Sequence, residues 1–389
     1  MDDKTISRTR PDVCVIGLRG FPDISGGVET HCEQILARLS RTSPLRFVVL
    51  GRRGYMDRTH IVNERLDVRP VAALRNKYLE ALPNALAALF YAWAVLRPRA
   101  LHIHAIGPAL VTPLAKLLGM RVIVTHHGCD YERAKWNWAG RLTLRMGEWA
   151  ALRFADRVIA VSPSLARDLR RRFRRRAGRI RYVPNGADAH AETAPAEQVL
   201  QRFGLAPGGF VLGVGRLVPE KRFDDLIDAF ENSGAQGKLV IAGAADHGDA
   251  YARALTGRAS ERVVFTGSLD RRTLEALYRN ASLFVLPSSH EGLPIAALEA
   301  IGAGAPVVLS GIAANRDIGL DAHHYFKCGD VEALARALAA PGALYAVDRD
   351  AVLARFDWDV IAAQTLEVYQ SMLDRSGMLA AVERINAPA

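Results

Sequence analysis

Cysteine is scarce in this chain, and the few cysteines present are not spaced as pairs. The 389 residues include only four, Cys14, Cys32, Cys129 and Cys328. Such scattered cysteines suggest neither a disulfide framework nor a zinc knuckle, which predicts a protein of a reducing compartment. The first ten residues lack an apolar stretch, so we expect no signal peptide and a cytoplasmic location.

Long apolar runs are also missing. The strongest, from Tyr78 to Leu96, is interrupted by Glu80, Pro83 and Asn84. Its uninterrupted part falls short of the roughly 20 residues that cross a bilayer. We therefore predict a helix packed on a sheet rather than a membrane span.

Acidic residues are few in the first half only. Residues 1–200 contain 33 Lys and Arg against 18 Asp and Glu, a net charge of +15, whereas residues 201–389 have a net charge of −5. The opposite signs favour two domains with different partners. The basic half is expected to favour an anionic partner such as membrane lipid, a phosphorylated acceptor or nucleic acid.

The first half alternates short apolar strands with helical patterns. Asp12 to Gly17 is followed by a glycine loop with Gly26 and Gly27, and further strands are predicted at 47–50, 100–104, 121–125, 158–161 and 180–183. This alternation predicts a doubly wound α/β domain with a parallel sheet. The two glycines form either a tight turn or a place where a diphosphate or sugar approaches the backbone.

Four histidines lie on two neighbouring predicted strands. His102 and His104 share one face of a strand, and His126 and His127 end the next. They could suggest a metal site, although Asp130 is the only nearby carboxylate in the sequence. Histidines at the carboxyl ends of parallel strands more often line a substrate cleft, so we expect no metal.

The segment Leu165 to Arg181 is the most basic of the chain, with nine arginines between Arg167 and Arg181. It predicts an amphipathic helix that is either solvated or bound to an anionic membrane. The arginines assigned to membrane contact are Arg167, Arg170, Arg171, Arg172, Arg174, Arg175 and Arg176. Without interleaved aromatic residues, the segment does not favour nucleic acid.

A second α/β unit begins after the Ala-, Pro- and Gly-rich stretch from Pro184 to Gly209. An apolar strand from Phe210 is followed by Arg216 and Lys221, two cations that suit a diphosphate. Further strands are predicted at 238–242, 263–266, 283–286 and 307–309, and one last helix is predicted at 357–373.

The segment Glu291 to Glu299 combines two carboxylates with a predicted helix start at Pro294. The backbone N–H groups of Gly292, Leu293 and Ile295 would form an anion site at this helix start. By themselves the two carboxylates could also be the acid and base of a glycosidase.

Six segments in this order resemble a known family. They are Gly26–Glu29, Thr125–Tyr131, Gly215–Lys221, Phe265–Gly267, Glu291–Ala300 and Gly304–Val308. Together they resemble the retaining glycosyltransferases of family 4, also described as glycosyl transferases group 1. The resemblance extends over most of the chain.

The resemblance implies a GT-B architecture of two facing Rossmann-like domains with parallel sheets and an interdomain cleft. Residues 1–205 would bind the acceptor, residues 206–356 would bind the nucleotide-sugar donor, and residues 357–389 would cross back to the first domain. No cofactor or metal is expected.

The resemblance also implies residue roles. Arg216 and Lys221 would neutralise the donor diphosphate, with the backbone of Gly292, Leu293, Pro294 and Ile295. Glu299 would bind the ribose and Glu291 the transferred sugar, which replaces the glycosidase interpretation. Ser268 would meet the base, His127 would lie beside the donor sugar, and Gly26 and Gly27 would approach the diphosphate and acceptor.

The sequence departs from the family pattern at Arg222, where glycine is common, and at Asp317, where glutamate is common. The expected function is transfer of a sugar to a lipid-diphosphate-linked saccharide, in cell-surface polysaccharide synthesis at the inner face of the cytoplasmic membrane. A sugar-nucleotide epimerase on the same architecture is the alternative.

Overall fold

Short runs rich in valine, isoleucine and leucine form the strands, and the central strands of both sheets are fully buried, as is typical of parallel sheets covered on both faces. The structure is a computed structural model that describes residues 10–22, 24, 26–72, 81–133, 136–188, 191–244 and 250–373. Within these ranges the strands form two sheets, one in each of two units of the chain.

The first sheet has eight strands in the order β3-β4-β2-β1-β5-β6-β7-β8. All neighbours are parallel except β3 and β4, which form an antiparallel edge. The strands are β1 Val13–Ile16, β2 Phe47–Arg52, β3 His60–Asn63, β4 Leu66–Val71, β5 Ala100–His104, β6 Val122–His126, β7 Arg157–Ala160 and β8 Ile180–Tyr182.

The second sheet has six parallel strands in the order β11-β10-β9-β12-β13-β14. The strands are β9 Phe210–Val214, β10 Lys238–Ala242, β11 Val263–Gly267, β12 Leu283–Leu286, β13 Val307–Ser310 and β14 Tyr325–Phe326. Counted within the sheet, this is the order 3-2-1-4-5-6 of a Rossmann fold.

Helices connect most of these strands. In chain order they are α1 Gly27–Thr42, α2 Ala81–Tyr91, α3 Thr112–Leu117, α4 Trp138–Phe154, α5 Pro163–Arg172, α6 Ala196–Phe203, α7 Phe223–Asn232, α8 Ala250–Thr256, α9 Arg271–Asn280, α10 Ile295–Gly302, α11 Ala313–Arg316, α12 Val331–Ala339, α13 Arg349–Phe356 and α14 Trp358–Met372. None of the helices in the described ranges is long and apolar enough to cross a membrane.

The chain divides after Pro184 and again after Asp357. Residues 185–205, predicted to belong to the first domain, belong to the second unit, where α6 packs against α9. The last helix, α14, belongs to the first unit and packs against α1, with Trp358 and Tyr369 fully buried there. Residues 374–389 of the predicted third segment lie outside the described residues.

Two local predictions were wrong. The basic segment from Leu165 to Arg181 is not one helix, because α5 ends at Arg172 and a 3₁₀ helix follows from Arg174 to Arg179. Phe173 leaves the helical region between them, with φ of −119°. The edge strands β3 and β4 were not predicted. The predicted helix at 78–96 is α2 and a following π-helical turn, Ala92–Leu96; residues 78–80 lie outside the described residues.

Candidate functional site

The second sheet reverses its strand order between β9 and β12. From β9 the chain adds β10 and β11 on one side, and from β12 it adds β13 and β14 on the other. The loops that follow β9 and β12 therefore leave the sheet beside each other in opposite directions. In open α/β sheets, ligands bind at the carboxyl ends of the strands at this reversal.

Lys221 and Glu291 meet at this reversal. Lys221 ends a 3₁₀ turn after β9, and Glu291 lies in the loop after β12. The Lys221 ammonium donates to Glu291 Oε1 at 2.6 Å, and both side chains are about seven-eighths buried, with 14% and 13% exposure. A cation and a carboxylate, two of the groups predicted at the site, are thus in direct contact although they are 70 residues apart.

Gly215 is the residue that lets Lys221 reach this position. A Cβ added to Gly215 would lie 3.0 Å from Cε of Lys221, so the aliphatic stem of the lysine lies directly on the glycine. On its other side, Gly243 approaches the carbonyl oxygen of Gly215 so closely that a Cβ on Gly243 would lie 2.0 Å from it. The ends of β9 and β10 are therefore packed backbone against backbone.

The loop after β12 is fixed by backbone acceptors. The Ser289 N–H donates to the carbonyl of Glu220 at 2.8 Å, which ties this loop to the one after β9. Asn185 donates through Nδ2 to the carbonyl of Leu293 at 2.7 Å. Asn185 was missed as a site residue because nothing near it in the sequence indicates a contact 108 residues away.

The helix α10 starts at Ile295, with Pro294 as its N-cap residue at φ of −74°. Its first turn contains no charged side chain, so the N–H groups there face no carboxylate of their own helix. Gly292 is partly exposed, whereas Leu293, Pro294 and Ile295 are buried. A helix start of this kind can bind an anion through backbone N–H groups.

Glu299 lies one turn further along α10, and its partners differ from those of Glu291. Its Oε2 accepts from the Tyr278 hydroxyl at 3.3 Å, and Arg271 lies 3.8 Å from Oε1. Burial raises the pKa of Glu299 to about 7, against the opposing effect of the Arg271 charge and the Tyr278 hydrogen bond. Asp188, Arg271, Tyr278 and Glu299 line one small cavity.

The two carboxylates of the motif therefore have different partners: Glu291 pairs with a lysine, and Glu299 with a tyrosine and an arginine. Tyr278 and Arg271 were missed by sequence reasoning, since both belong to α9 and no motif marks them.

Arg216 is half-buried in the loop after β9. Ser268 is exposed in the loop between β11 and α9.

Arg222 adopts the left-handed conformation, with φ of 51° and ψ of 41°, directly after Lys221. Glycine occupies this conformation without steric cost, which gives a physical reason for the glycine that is common at this position. The Arg222 side chain donates to Asp225 at 2.5 Å, which raises the pKa of Arg222 through this hydrogen bond.

In the first unit, Gly26 is the N-cap residue of α1, and Gly27 is its first residue. A Cβ on Gly26 would lie 2.1 Å from Oε2 of Glu29, because the buried Glu29 side chain folds back beneath the loop. Glu29 Oε1 accepts from the Arg19 N–H at 3.0 Å. A side chain at Gly26 would therefore displace the Glu29 carboxylate from its position beneath the loop.

His127 belongs to a buried group of imidazoles. Its Nε2 lies 3.0 Å from Nδ1 of His104, its ring contacts His31 edge to face, and Cys32 Sγ lies 3.4 Å from the same His104 nitrogen. Burial, and then the charge of His31, hold the pKa of His127 well below its usual range, so the ring is neutral at neutral pH. His102 instead bonds to Tyr369 and Thr125.

His126 bonds to a carboxylate that sequence reasoning missed. Its Nε2 lies 2.9 Å from Oε1 of Glu148 on α4, and Arg172 donates to both oxygens of Glu148 at 2.7 and 3.1 Å. Burial opposes ionisation of Glu148, but the hydrogen bonds from His126 and Arg172 prevail and lower its pKa to about 2. Asp130, the carboxylate expected near the histidines, pairs with Arg133.

Two groups in the described part of the first unit have side chains that could hold a metal ion. They are His31, His104 and His127, and His126, Cys129 and Glu148, with ligand atoms within 4.8 Å of one another in each group. Imidazole and thiolate ligands suit zinc. The hydrogen bonds between His104 and His127, and between His126 and Glu148, account for the proximity of these pairs without a metal.

The seven arginines predicted to face a membrane are divided between two elements. Arg167, Arg170, Arg171 and Arg172 belong to α5, and Arg174, Arg175 and Arg176 to the following 3₁₀ helix. All are exposed except Arg176, which is half-buried. Arg172 is held by Glu148, so its role is at least partly structural.

Two family models match the chain, one on each unit. The model of the glycosyl transferases group 1 matches residues 205–340, and the model of glycosyltransferase family 4 matches residues 25–191. The chain belongs to the group 1 glycosyl transferases.

Similar proteins agree with this family. The chain is 30% identical over 253 residues to the D-inositol 3-phosphate glycosyltransferase of Xylanimonas cellulosilytica, a stretch that covers 59% of this chain and 60% of that protein. It is 27% identical over 390 residues to the alpha-maltose-1-phosphate synthase of Mycolicibacterium smegmatis, covering 90% of this chain and 97% of that protein.

Among solved structures, the sucrose-phosphate synthase of Thermosynechococcus elongatus superimposes with a TM-score of 0.77 at 23% identity, covering 93% of this chain and 99% of that one. HepE of Anabaena, solved with UDP-glucose, gives 0.72 at 19% identity, covering 92% and 99%. At these identities the likeness concerns the fold, and the fold is GT-B.

Proposed function

We propose that the protein is a retaining glycosyltransferase that moves a sugar from a nucleotide-diphosphate-sugar to a lipid-diphosphate-linked saccharide. The proposal rests chiefly on the contact between Lys221 and Glu291 at the strand-order reversal of the second sheet. There a cation, a carboxylate and a helix start are close enough to engage one ligand that combines phosphate with hydroxyl groups.

In this proposal the diphosphate is bound by Lys221, Arg216 and the backbone N–H groups at the start of α10. As the bond from the anomeric carbon to the leaving oxygen breaks, negative charge grows on the diphosphate, and these groups stabilise it. Glu291 accepts hydrogen bonds from the hydroxyls of the transferred sugar. The lysine thereby also orients the carboxylate that positions the sugar.

Retention follows if the acceptor attacks on the face from which the diphosphate departs. The leaving phosphate oxygen then takes the acceptor's proton, and no metal or enzymatic nucleophile is required. Glu299 binds the ribose hydroxyls, and Ser268 lies near the base. His127, Gly26 and Gly27 are assigned to the same reaction on the family resemblance alone.

The nucleotide-sugar donor is supported by HepE, a structural neighbour that was solved with UDP-glucose. Several relatives are named as synthases of soluble sugar phosphates, so the lipid-linked acceptor rests on other features. These are the net charge of +15 in the first 200 residues and the arginines of α5. They support a cytoplasmic protein at the inner face of the membrane, in polysaccharide synthesis.

Replacing Lys221 with methionine tests the role of the cation. We expect kcat/KM for transfer to fall about a hundredfold to a thousandfold, since a buried partner of the developing charge is lost. The exposed Lys327→Met is the matched control and should retain full activity. Transfer by Lys221→Met at the wild-type rate would refute the assignment.

The donor is identified by thermal stabilisation with UDP-glucose and a panel of other UDP- and GDP-sugars, because a ligand that binds the native state raises its stability. The anomeric configuration of the product, measured by NMR, tests retention, and activity in the presence of EDTA tests metal independence. Isomerisation of the donor sugar without acceptor would favour the epimerase alternative, which the two family models do not support.

A further inference from the structure

The helix α4 has a solvent-facing side that is apolar instead of polar. Four of its large apolar side chains are exposed: Trp138 by 79%, Leu142 by 51%, Met146 by 53% and Trp149 by 52%. At about 100° per residue, their spacing places all four within an arc of about 80°. An ordinary surface helix has the opposite arrangement, with its apolar stripe on the core.

The other side of α4 is already packed, so the exposed stripe is not needed for folding. Leu144, Gly147, Glu148 and Ala151 are buried. Gly147 lies so close to the chain that a Cβ there would be 1.9 Å from the carbonyl oxygen of Ile106. The helix is therefore fixed on the sheet layer with its apolar stripe towards solvent.

The charges around the stripe are of one sign. Arg141, Arg145 and Arg153 are exposed on α4, and the only acidic residue of the helix, Glu148, is buried. Glu148 holds Arg172, which brings the arginines of α5 next to α4. An apolar stripe flanked by arginines is complementary to a surface that offers both acyl chains and negative headgroups.

Elements that pack near α4 also expose large apolar side chains. The helix α3 packs against α4 and leaves Leu117 exposed by 84%. Helices α2 and α4 both pack against the 3₁₀ helix Pro108–Val111. In the segment after α2, Trp93 is 45% exposed. Tryptophan is enriched at membrane–water interfaces because its ring is apolar and its N–H is polar.

We propose that this face, formed by Trp138, Leu142, Met146 and Trp149 with Arg141, Arg145 and Arg153, docks the first unit on an anionic lipid bilayer. The apolar side chains enter the interfacial layer, and the arginines bind the headgroups. The inference rests on the proposed lipid-linked acceptor, and it assigns the principal membrane contact to α4 rather than to the arginines of α5 alone.

Binding to vesicles tests the proposal without any substrate. Wild-type protein should sediment with vesicles made of equal parts of phosphatidylglycerol and phosphatidylcholine, and much less with phosphatidylcholine alone. Brominated acyl chains should quench its tryptophan fluorescence. Trp138→Ser with Leu142→Ser should weaken binding at least about tenfold, and each of Arg141→Ala and Arg145→Ala about fivefold.

The matched controls are Leu344→Ser and Arg336→Ala, since both side chains are exposed in the second unit. They should bind like wild type, and all variants should keep the wild-type thermal unfolding midpoint because the altered side chains face solvent. If the double variant unfolds early, Trp138→Ser alone and the lipid quenching of the wild-type protein decide the question.

Three outcomes would overturn the proposal: no binding of wild type to anionic vesicles, equal binding by the α4 variants, or a dimer in sedimentation velocity that these variants dissociate. The last result would assign the face to a second copy of the chain. Sugar transfer to a water-soluble acceptor, measured without vesicles, tests the proposed function separately from the proposed docking face. Vesicle binding without any transfer refutes the proposed function and leaves the docking face intact.

Discussion

Glu299 is the clearest case of a residue whose position in a motif does not reveal its environment. The resemblance assigns Glu291 and Glu299 to different hydroxyl groups of one ligand, and the fold gives the two carboxylates different partners. Glu291 contacts an ammonium at 2.6 Å, whereas Glu299 lies in a small cavity where burial dominates and raises its pKa to about 7. The difference arises because α9 places Tyr278 and Arg271 beside Glu299.

Replacing Glu299 with glutamine should stabilise the free protein by about 3 kcal/mol at pH 8 and by less than about 1 kcal/mol at pH 5. The folded pKa lies above the ordinary 4.5. The folded state therefore keeps a proton that the unfolded state releases, and wild-type stability falls as the pH rises from 4.5 through 7. Urea unfolding at the two pH values measures this.

The exposed Glu332→Gln serves as the control and should stay within about 0.5 kcal/mol of wild type at both pH values. An equal effect of Glu299→Gln at pH 5 and pH 8 would contradict the raised pKa. In calorimetric titrations with the donor, Glu299→Gln should weaken binding more than Glu291→Gln does, if Glu299 binds the ribose that is common to all donors.

At the scale of elements, the turn between the 3₁₀ helix at Pro219–Lys221 and α7 depends on one left-handed residue. Arg222 has φ of 51°, and its side chain bonds to Asp225 within the first turn of α7. The left-handed conformation costs an ordinary residue about 1–2 kcal/mol. The strained residue directly follows Lys221, so this turn helps to set the position of Lys221.

We expect Arg222→Gly to leave the free energy of unfolding within about 1 kcal/mol of wild type, because relief of the strain offsets the lost contact with Asp225 and the greater freedom of the unfolded chain. Arg222→Val should cost at least about 1 kcal/mol more than Arg222→Gly, since a β-branched residue is strongly disfavoured at this φ. Chemical denaturation compares the two variants. Equal stability of the glycine and valine variants would contradict the assigned conformation.

The helix α5 is shorter than the pattern of its apolar residues predicts. Apolar residues four apart predict one helix that carries all seven assigned arginines, up to Arg176, but like charges four apart, such as Arg170 with Arg174 and Arg171 with Arg175, disfavour its continuation. Arg172 finds its counter-charge on α4 instead. The outward apolar face of α4 was not predicted at all, because periodicity indicates an apolar stripe without revealing which side of the helix is covered.

At the scale of the whole molecule, the last helix is separated in sequence from the unit to which it belongs. The second unit is a continuous stretch, Asn185–Asp357, whereas the first unit needs α14 to cover α1. Trp358 and Tyr369 are both fully buried in the first unit, and the Tyr369 hydroxyl contacts His102 at 2.8 Å.

Removing α14 should therefore unfold the first unit while the second survives. We expect a chain that ends at Asp357 to lose protection from hydrogen exchange in β1, β2 and β5, since burial of Trp358 alone is worth about 3–5 kcal/mol. A chain that ends at Leu373 is the control, because it keeps every described residue of α14. Full protection of these strands in the shorter chain would contradict the assignment of α14.

The alternation of strands and helices, the parallel sheets, the family and the spacing of Glu291 and Glu299 all follow from the sequence alone. These depend on local periodicity and on short segments whose spacing is preserved in the chain. The pairing of Lys221 with Glu291, the cavity around Glu299, the capture of Arg172 by Glu148 and the exposed face of α4 were decided by the tertiary structure. Each depends on strand order and helix packing, which bring together residues that are far apart in sequence and so have no local signature.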